Sequence, residues 1–298
     1  MKEFKSGFCV LCGRPNVGKS TLMNHFVGQK VAIVSPKAQT TRNCIRGILT
    51  DENEQIVFLD TPGIHKPKCK LNEFMAKTQK EASIGADFTC IMLDITQPVG
   101  HTDEKIIKEY SSAPCAIVLN KIDCVDRQTV LDYLTRLAKF DISVVPVSAQ
   151  TGEGCDELKK MISQSLPAGP KYFPDDMVCD FPERFLASEI IREKALLNLS
   201  DEVPHGIGVS INRMQEQDNG NISISADILC ERESHKGIII GKGGTMIKKI
   251  GTEARQELEV LLDTKVYIEL FVKVKENWRN SAAALKDLGY TEQQITSK

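Results

Sequence analysis

The chain has 298 residues, of which 41% are hydrophobic and 26% charged, the mix of an ordinary globular protein of about two domains. That composition excludes a disordered chain, a collagen-like fibre and a disulfide-stapled mini-protein. Its 38 basic and 40 acidic residues leave a net charge of −2, so a nucleic-acid or membrane partner must be read from a local patch rather than from a global field.

The N-terminal residues MKEFKSGFCVLCG lack the apolar core of a signal peptide, and no apolar run approaches the roughly 20 residues that span a bilayer. A cytoplasmic protein with ten reduced cysteines is the expectation. Residues 8–11, 56–59, 88–93, 116–119 and 143–147 read as buried strands, and 21–27, 130–140 and 155–166 carry helical spacing. Strand–helix alternation of this kind predicts an α/β domain with a mainly parallel sheet and helices on both faces. Cys9 and Cys12 form the lone C-x-x-C, but three positions apart on a strand they point to opposite faces and cannot share a metal. The Pro- and Gly-rich segment 167–174 breaks all periodicity. Beyond it the order changes to a helix near 184–199, strands at 206–214 and 221–231, a Gly-rich turn, a helix near 245–262 and a strand at 265–272. The expected division is residues 1–170, a linker at 171–183, and a second, α+β domain at 184–298.

The first strand runs into Gly13-Arg14-Pro15-Asn16-Val17-Gly18-Lys19-Ser20, an unbroken G-x-x-x-x-G-K-S followed by Thr21. Small residues let successive backbone N–H groups turn toward phosphates, a helix N-terminus behind them favours negative charge, and the lysine reaches the outer phosphates. Ser20 then offers a hydroxyl to magnesium. Asp60-Thr61-Pro62-Gly63 follows the next strand, placing a carboxylate for the magnesium shell and a glycine N–H for the terminal phosphate. Asn120-Lys121-Ile122-Asp123 follows another strand, and Asp123 can accept from both guanine N1–H and the exocyclic amine, which adenine cannot match. Ser148-Ala149-Gln150 offers a backbone N–H near the guanine carbonyl. Each motif alone is weak. Four in register at the carboxyl ends of strands point to a guanine nucleotide site.

In the second domain Gly241-Lys242-Gly243-Gly244 fails as another phosphate loop, because Gly243 stands where Ser or Thr is needed. It matches the G-x-x-G loop of a KH module, which lets a nucleic-acid backbone approach and clamps about four nucleotides. The order helix, strand, strand, G-x-x-G, helix, strand is that of the type II KH fold. Residues 171–298 carry 17 basic against 21 acidic side chains, yet six basic residues, Lys242, Lys248 and Lys249 among them, fall between 232 and 255. RNA binding is therefore expected on that face alone.

With these motifs the chain resembles the translation-factor-related GTPases, and within them the Era family of bacterial ribosome-assembly GTPases. The carrying residues are GRPNVGKST (13–21), AQTTR (38–42), DTPG (60–63), NKID (120–123) and Ser148-Ala149, with RFLASEIIREK (184–194), IKKIG (247–251) and LFVKVKENW (270–278) in the second domain. Coverage is about 5–290. The resemblance implies that Thr41 reaches magnesium when GTP is bound, with Thr40 the runner-up. It also implies binding to single-stranded sequence near the 3′ end of 16S ribosomal RNA and a role in maturing the 30S subunit.

Where the Ras template places a water-orienting glutamine, this chain has Ile64, which cannot hydrogen-bond to water, so slow intrinsic hydrolysis is expected. In potassium-stimulated relatives an asparagine at the position of Asn16 helps hold a monovalent cation beside the phosphates, which makes potassium a candidate cofactor beside magnesium. No general base is apparent, so catalysis is expected to be electrostatic. The competing reading is a constitutive RNA-binding protein with a structural guanine nucleotide; a small-molecule kinase is disfavoured by the guanine motif. A monomer is the default, and peripheral association with the inner face of the membrane is left open.

Overall fold

The computed structural model describes residues 3–37, 39–64 and 67–290. Ala38 of the AQTTR segment and the tail 291–298 of the second domain lie outside them. The first domain is built from β1 (Lys5–Gly13), α1 (Lys19–Val27), β2 (Ile45–Thr50), β3 (Glu54–Asp60), α2 (Lys70–Ser83), β4 (Phe88–Asp94), α3 (His101–Tyr110), β5 (Cys115–Asn120), α4 (Arg127–Leu137), β6 (Val144–Val147) and α5 (Cys155–Ser165). Six strands form one sheet in the order β2-β3-β1-β4-β5-β6. Only the β2–β3 pair is antiparallel.

The apolar runs explain the layers. Strand β4 is buried along its whole length, as a strand covered on both faces must be. Cys9 and Leu11 of β1 pack with Leu22 and Met23 of α1 and Leu158 and Ile162 of α5. Their neighbour Cys12 faces the other way, with Ile106 and Ile107 of α3 and Leu137 of α4. The two cysteines thus lie on opposite faces, as alternation requires, and the Cys9 thiol instead meets that of Cys90 at 3.6 Å.

The second domain comprises α6 (Glu183–Asn198), β7 (Gly208–Glu216), β8 (Ile222–Cys230), α7 (Glu233–Ile240), α8 (Thr245–Leu261), β9 (Val266–Val274) and the short α9 (Ala282–Asp287). Its sheet runs β7-β8-β9, with the first pair antiparallel and the second parallel. Ala187 and Ile191 of α6, Ile224 and Ile228 of β8, and Ala254 and Leu258 of α8 share its core.

The structure adds α2, α3, α7, α9 and strand β2 to the elements read from the sequence. The apolar run Ile238-Ile239-Ile240 ends a helix, α7, which buries His235 and Ile239 one turn apart. Strand β2 went unread because Gly47 interrupts its pattern; a Cβ there would come within 2.8 Å of Met23, so close packing by α1 requires the glycine.

The connection between the domains is not a free tether. The backbone N–H of Ile48 donates to Val178 O at 2.9 Å, and the Gln55 side chain accepts from the amides of Tyr172 and Phe173 at 2.7 and 3.0 Å. Trp278, the chain's one tryptophan, is fully buried with Leu71 and Met75 of α2 and Leu285, Leu288 and Tyr290, and its indole N–H donates to Gly206 O at 2.9 Å. That cluster unites side chains of both domains.

Candidate functional site

The loop after β1 folds as phosphate chemistry demands. Gly13 and Gly18 take φ of 148° and 99°. A Cβ on Gly13 would lie 2.5 Å from Met92 O, and one on Gly18 only 2.1 Å from the Asn120 amide, so both positions require glycine. The loop borders a cavity of about 410 Å³ lined by Asn16, Gly18, Lys19, Ser20, Thr21, Thr41, Gly63 and Lys121, among others. Val17 is buried in the core instead, and its carbonyl accepts from Asn120 Nδ2 at 2.7 Å.

Lys19 is almost wholly buried. Its Nζ donates to Arg14 O at 3.0 Å and to Gly13 O at 3.5 Å. Burial pulls its pKa below the ordinary lysine value, against the pull of Asp60. Asp60 stands in the opposite position: burial raises its pKa, while Lys19 and the hydroxyls of Ser20 and Thr41 draw it back. Ser20 Oγ donates to Asp60 Oδ2 at 2.5 Å, Thr41 Oγ1 to the same oxygen at 3.2 Å, and the two hydroxyls are 3.0 Å apart. Asp60 Oδ1 is buried with no hydrogen-bond partner. Two hydroxyls and an orphaned carboxylate oxygen form a hard-oxygen set that fits magnesium, which keeps most of its shell for phosphate and water. Thr40 is turned away: its hydroxyl donates to Lys37 O at 2.7 Å.

Gly63 lies against the phosphate loop, where a Cβ would come within 2.7 Å of the Pro15 nitrogen. Ile64 packs against the α3–α4 face of the sheet and brings no polar atom toward the cavity. Asn16, in the left-handed region at φ 65°, donates from Nδ2 to Pro36 O at 2.6 Å.

On the base side, Asn120 is a strut. It holds Val17 O with its amide and accepts from Ala149 N at 2.9 Å, tying the phosphate loop to the Ser148-Ala149 loop. Ser148 N donates to Glu153 O at 2.8 Å, so both amides are engaged within the protein. Lys121, at φ 69°, donates to Asp94 at 2.5 Å. Asp123 is exposed, and the Ser148 hydroxyl holds its carboxyl below the usual value. Its Oδ2 also accepts from Cys124 Sγ at 3.4 Å.

In the second domain Gly241, Gly243 and Gly244 all have positive φ, between 63° and 79°, in the connection from α7 to α8. Lys242 and Gly243 are exposed at its tip. Beside it a groove of about 400 Å³ runs between α8 and the free edge strand β9, lined by Ile247, Lys248, Gly251, Arg255, Tyr267 and Leu270, with Thr252 and Ile268. Lys248 faces this groove; Lys249 does not line it and lies 3.9 Å from Glu253. The groove's apolar floor and Tyr267 were not legible as a site, because they come from two elements that only the fold brings together. The signal available was Gly251, which lets α8 approach β9: a Cβ there would lie 3.3 Å from Leu270.

Residues 8–121 match the family described as 50S ribosome-binding GTPase, and residues 202–279 match the KH domain family. The chain is 50% identical over 299 residues to the GTPase Era of Caldicellulosiruptor saccharolyticus, covering 98% of this chain and 99% of the relative. It is 50% identical over 295 residues to that of Clostridioides difficile, covering 97% and 99%. Among solved structures, an Era in complex with MgGDPNP and nucleotides 1506–1542 of 16S ribosomal RNA superposes with a TM-score of 0.93 at 42% identity, covering 97% of this chain and 100% of that one. An Aquifex aeolicus Era variant bound to GDP·AlF4− matches with the same TM-score and coverage at 41% identity.

Proposed function

Because this chain belongs to the Era family of GTPases, we propose that it binds and hydrolyses GTP in the first-domain cavity and binds 16S ribosomal RNA near its 3′ end through the KH groove, in assembly of the 30S subunit. The meeting of Ser20, Thr41 and Asp60 beside Lys19 carries the GTPase half of this reading. Lys19 holds the outer phosphates and Gly63 lends its N–H to the terminal one. Bound magnesium would supply positive charge to the phosphate oxygens from a site formed by Ser20, Thr41 and Asp60. Asp123 selects guanine. Turnover is electrostatic, since Ile64, the residue after Gly63, cannot hydrogen-bond to water, and it is therefore slow. Measurable GTP turnover that requires magnesium, and RNA binding by the same chain, test the proposal together; absence of either defeats it.

Two expectations arise here. Replacing Asp123 by Asn exchanges one acceptor for a donor, which no longer matches the two donors of guanine but does match the C2 carbonyl of xanthine. Asp123→Asn should lose about 10²-fold or more in GTP affinity, by the penalty for unpaired polar groups in such a site, and regain binding with xanthosine triphosphate in competition assays. Unchanged GTP affinity would remove Asp123 from the base site. Potassium is the second. Asn16 is held at the cavity edge beside the Pro36 carbonyl, which offers oxygen ligands next to the phosphates where Ile64 offers nothing. Hydrolysis should be several-fold faster in potassium than in sodium at equal ionic strength; equal rates would refute a potassium site.

A further inference from the structure

Three consecutive residues of the loop before β2 have three different destinations. The Thr40 carbonyl accepts from Arg192 Nη2 of α6 at 2.5 Å. The Thr41 hydroxyl joins Ser20 and Asp60. Arg42 leaves the first domain: its Nη1 donates to Ile207 O at 2.7 Å and to the Tyr290 hydroxyl at 3.2 Å, and its guanidinium lies 5.7 Å from the centre of the Trp278 ring. Arg42 and Arg192 are each only 1% exposed. Upstream, Val34 N donates to Glu193 Oε1 at 2.7 Å, and Lys30 pairs with the same carboxylate at 2.6 Å. Thus the segment that carries Thr41 is held on both sides by the second domain.

We propose that Arg42 and Arg192 are positioning residues that make the second domain part of the GTP site, presenting Thr41 to the magnesium position when that domain is docked and withdrawing it when the domain is displaced. The inference rests on the reading of Thr41 as a magnesium ligand. Three consecutive Cα atoms span at most about 7 Å, so the anchors leave Thr41 no slack, and a shift of α6 or of residues 205–207 reaches the hydroxyl directly.

The electrostatics make this contact releasable. Among the described residues Arg42 has no carboxylate partner; carbonyls, a hydroxyl and an aromatic ring hold it, and its Nε is unpartnered. Glu189, the nearby acidic side chain, is paired with Arg192 instead. A buried cation so weakly compensated returns much of its desolvation cost when exposed to water, which lowers the penalty for undocking. A ligand that displaces the second domain then lowers affinity for magnesium and GTP, and magnesium with GTP opposes that displacement in equal measure.

The test uses the full chain with Thr41→Ala, Arg42→Met and Arg192→Met, each titrated with magnesium in the presence of a non-hydrolysable GTP analogue and, separately, GDP. Methionine keeps the apolar stem's packing and removes the charge, and Arg192→Met is combined with Glu189→Gln so that no buried carboxylate loses its cation. Arg42→Met should raise the magnesium concentration needed for analogue binding by about 10- to 100-fold, the range for residues that orient a metal ligand. GDP affinity and the thermal midpoint should hold. Combined with Thr41→Ala it should add no further weakening, within about twofold. Arg192→Met gives the same readout should Arg42→Met fold poorly. If Thr41→Ala weakens analogue binding while both arginine variants leave it unchanged, the positioning role is overturned and the magnesium reading stands. Equal weakening for analogue and GDP, with a lowered midpoint, would show that the arginines act on stability alone. If Thr41→Ala has no effect, the magnesium reading fails and this proposal with it.

Discussion

Lys19→Met should lower GTP turnover by about 10²–10³-fold or more, the cost of removing one preorganised group aimed at developing charge, while the nucleotide-free protein melts no lower than before. The two halves of this result have one cause. Lys19 is buried, and burial pulls its pKa down, so the free protein bears a desolvation cost that only phosphate recovers. Methionine fills the same volume without a charge. Asp60 loses a cation but keeps the hydroxyls of Ser20 and Thr41, and its pKa, already raised by burial, can rise further so that the carboxyl takes up a proton. A steady-state assay paired with a thermal melt checks both. Retained turnover would contradict the phosphate role of Lys19, and a collapsed melt would contradict the assignment of its burial to function.

Gly243→Asp carries the second large effect, on RNA. The residue sits at the exposed tip of the G-x-x-G turn with φ 63°, and a Cβ there meets nothing within 4 Å. Aspartate tolerates this conformation better than most side chains, so the fold should hold. The added carboxylate faces an approaching phosphate, and like charges so placed cost several kcal/mol. RNA affinity should fall below detection in an anisotropy titration, with GTP turnover in the absence of RNA unaltered. By contrast Lys242→Ala removes a single phosphate contact and should weaken binding modestly, with the salt dependence reduced by about one ion. Full RNA affinity in Gly243→Asp would exclude the turn from the interface.

What could be read in advance follows from where the determinants lie along the chain. The phosphate loop was legible because a strand, a glycine-bearing turn and a helix N-terminus are contiguous, and chemistry fixes Gly13, Gly18, Lys19 and Ser20. Asp60 was legible for a similar reason: it ends a buried strand, and a carboxylate leaving a wholly apolar run stands out; Asp123 follows the end of β5 by three residues in the contiguous Asn-Lys-Ile-Asp motif. Thr40 and Thr41 could not be told apart, since adjacent hydroxyls differ only in the direction they point; the fold turns one to Lys37 O and the other to Asp60. Asn120, read as a base contact from its motif, is a strut between two loops in the structure. Arg42 gave no local signal, because its partners lie at 205, 207 and 290. The same holds for the groove between α8 and β9. Sites assembled from distant segments exist only after folding.

The central claim is that the state of the nucleotide and the binding of RNA are coupled through the two domains. Its most direct test is an anisotropy titration of an oligoribonucleotide matching the 3′ end of 16S ribosomal RNA, run with a non-hydrolysable GTP analogue plus magnesium and again with GDP. The account predicts a different affinity in the two states, tighter with the analogue, and none in Gly243→Asp under either condition. Equal affinity with analogue and GDP would contradict it, leaving a GTPase and an RNA-binding module that share a chain without exchanging free energy.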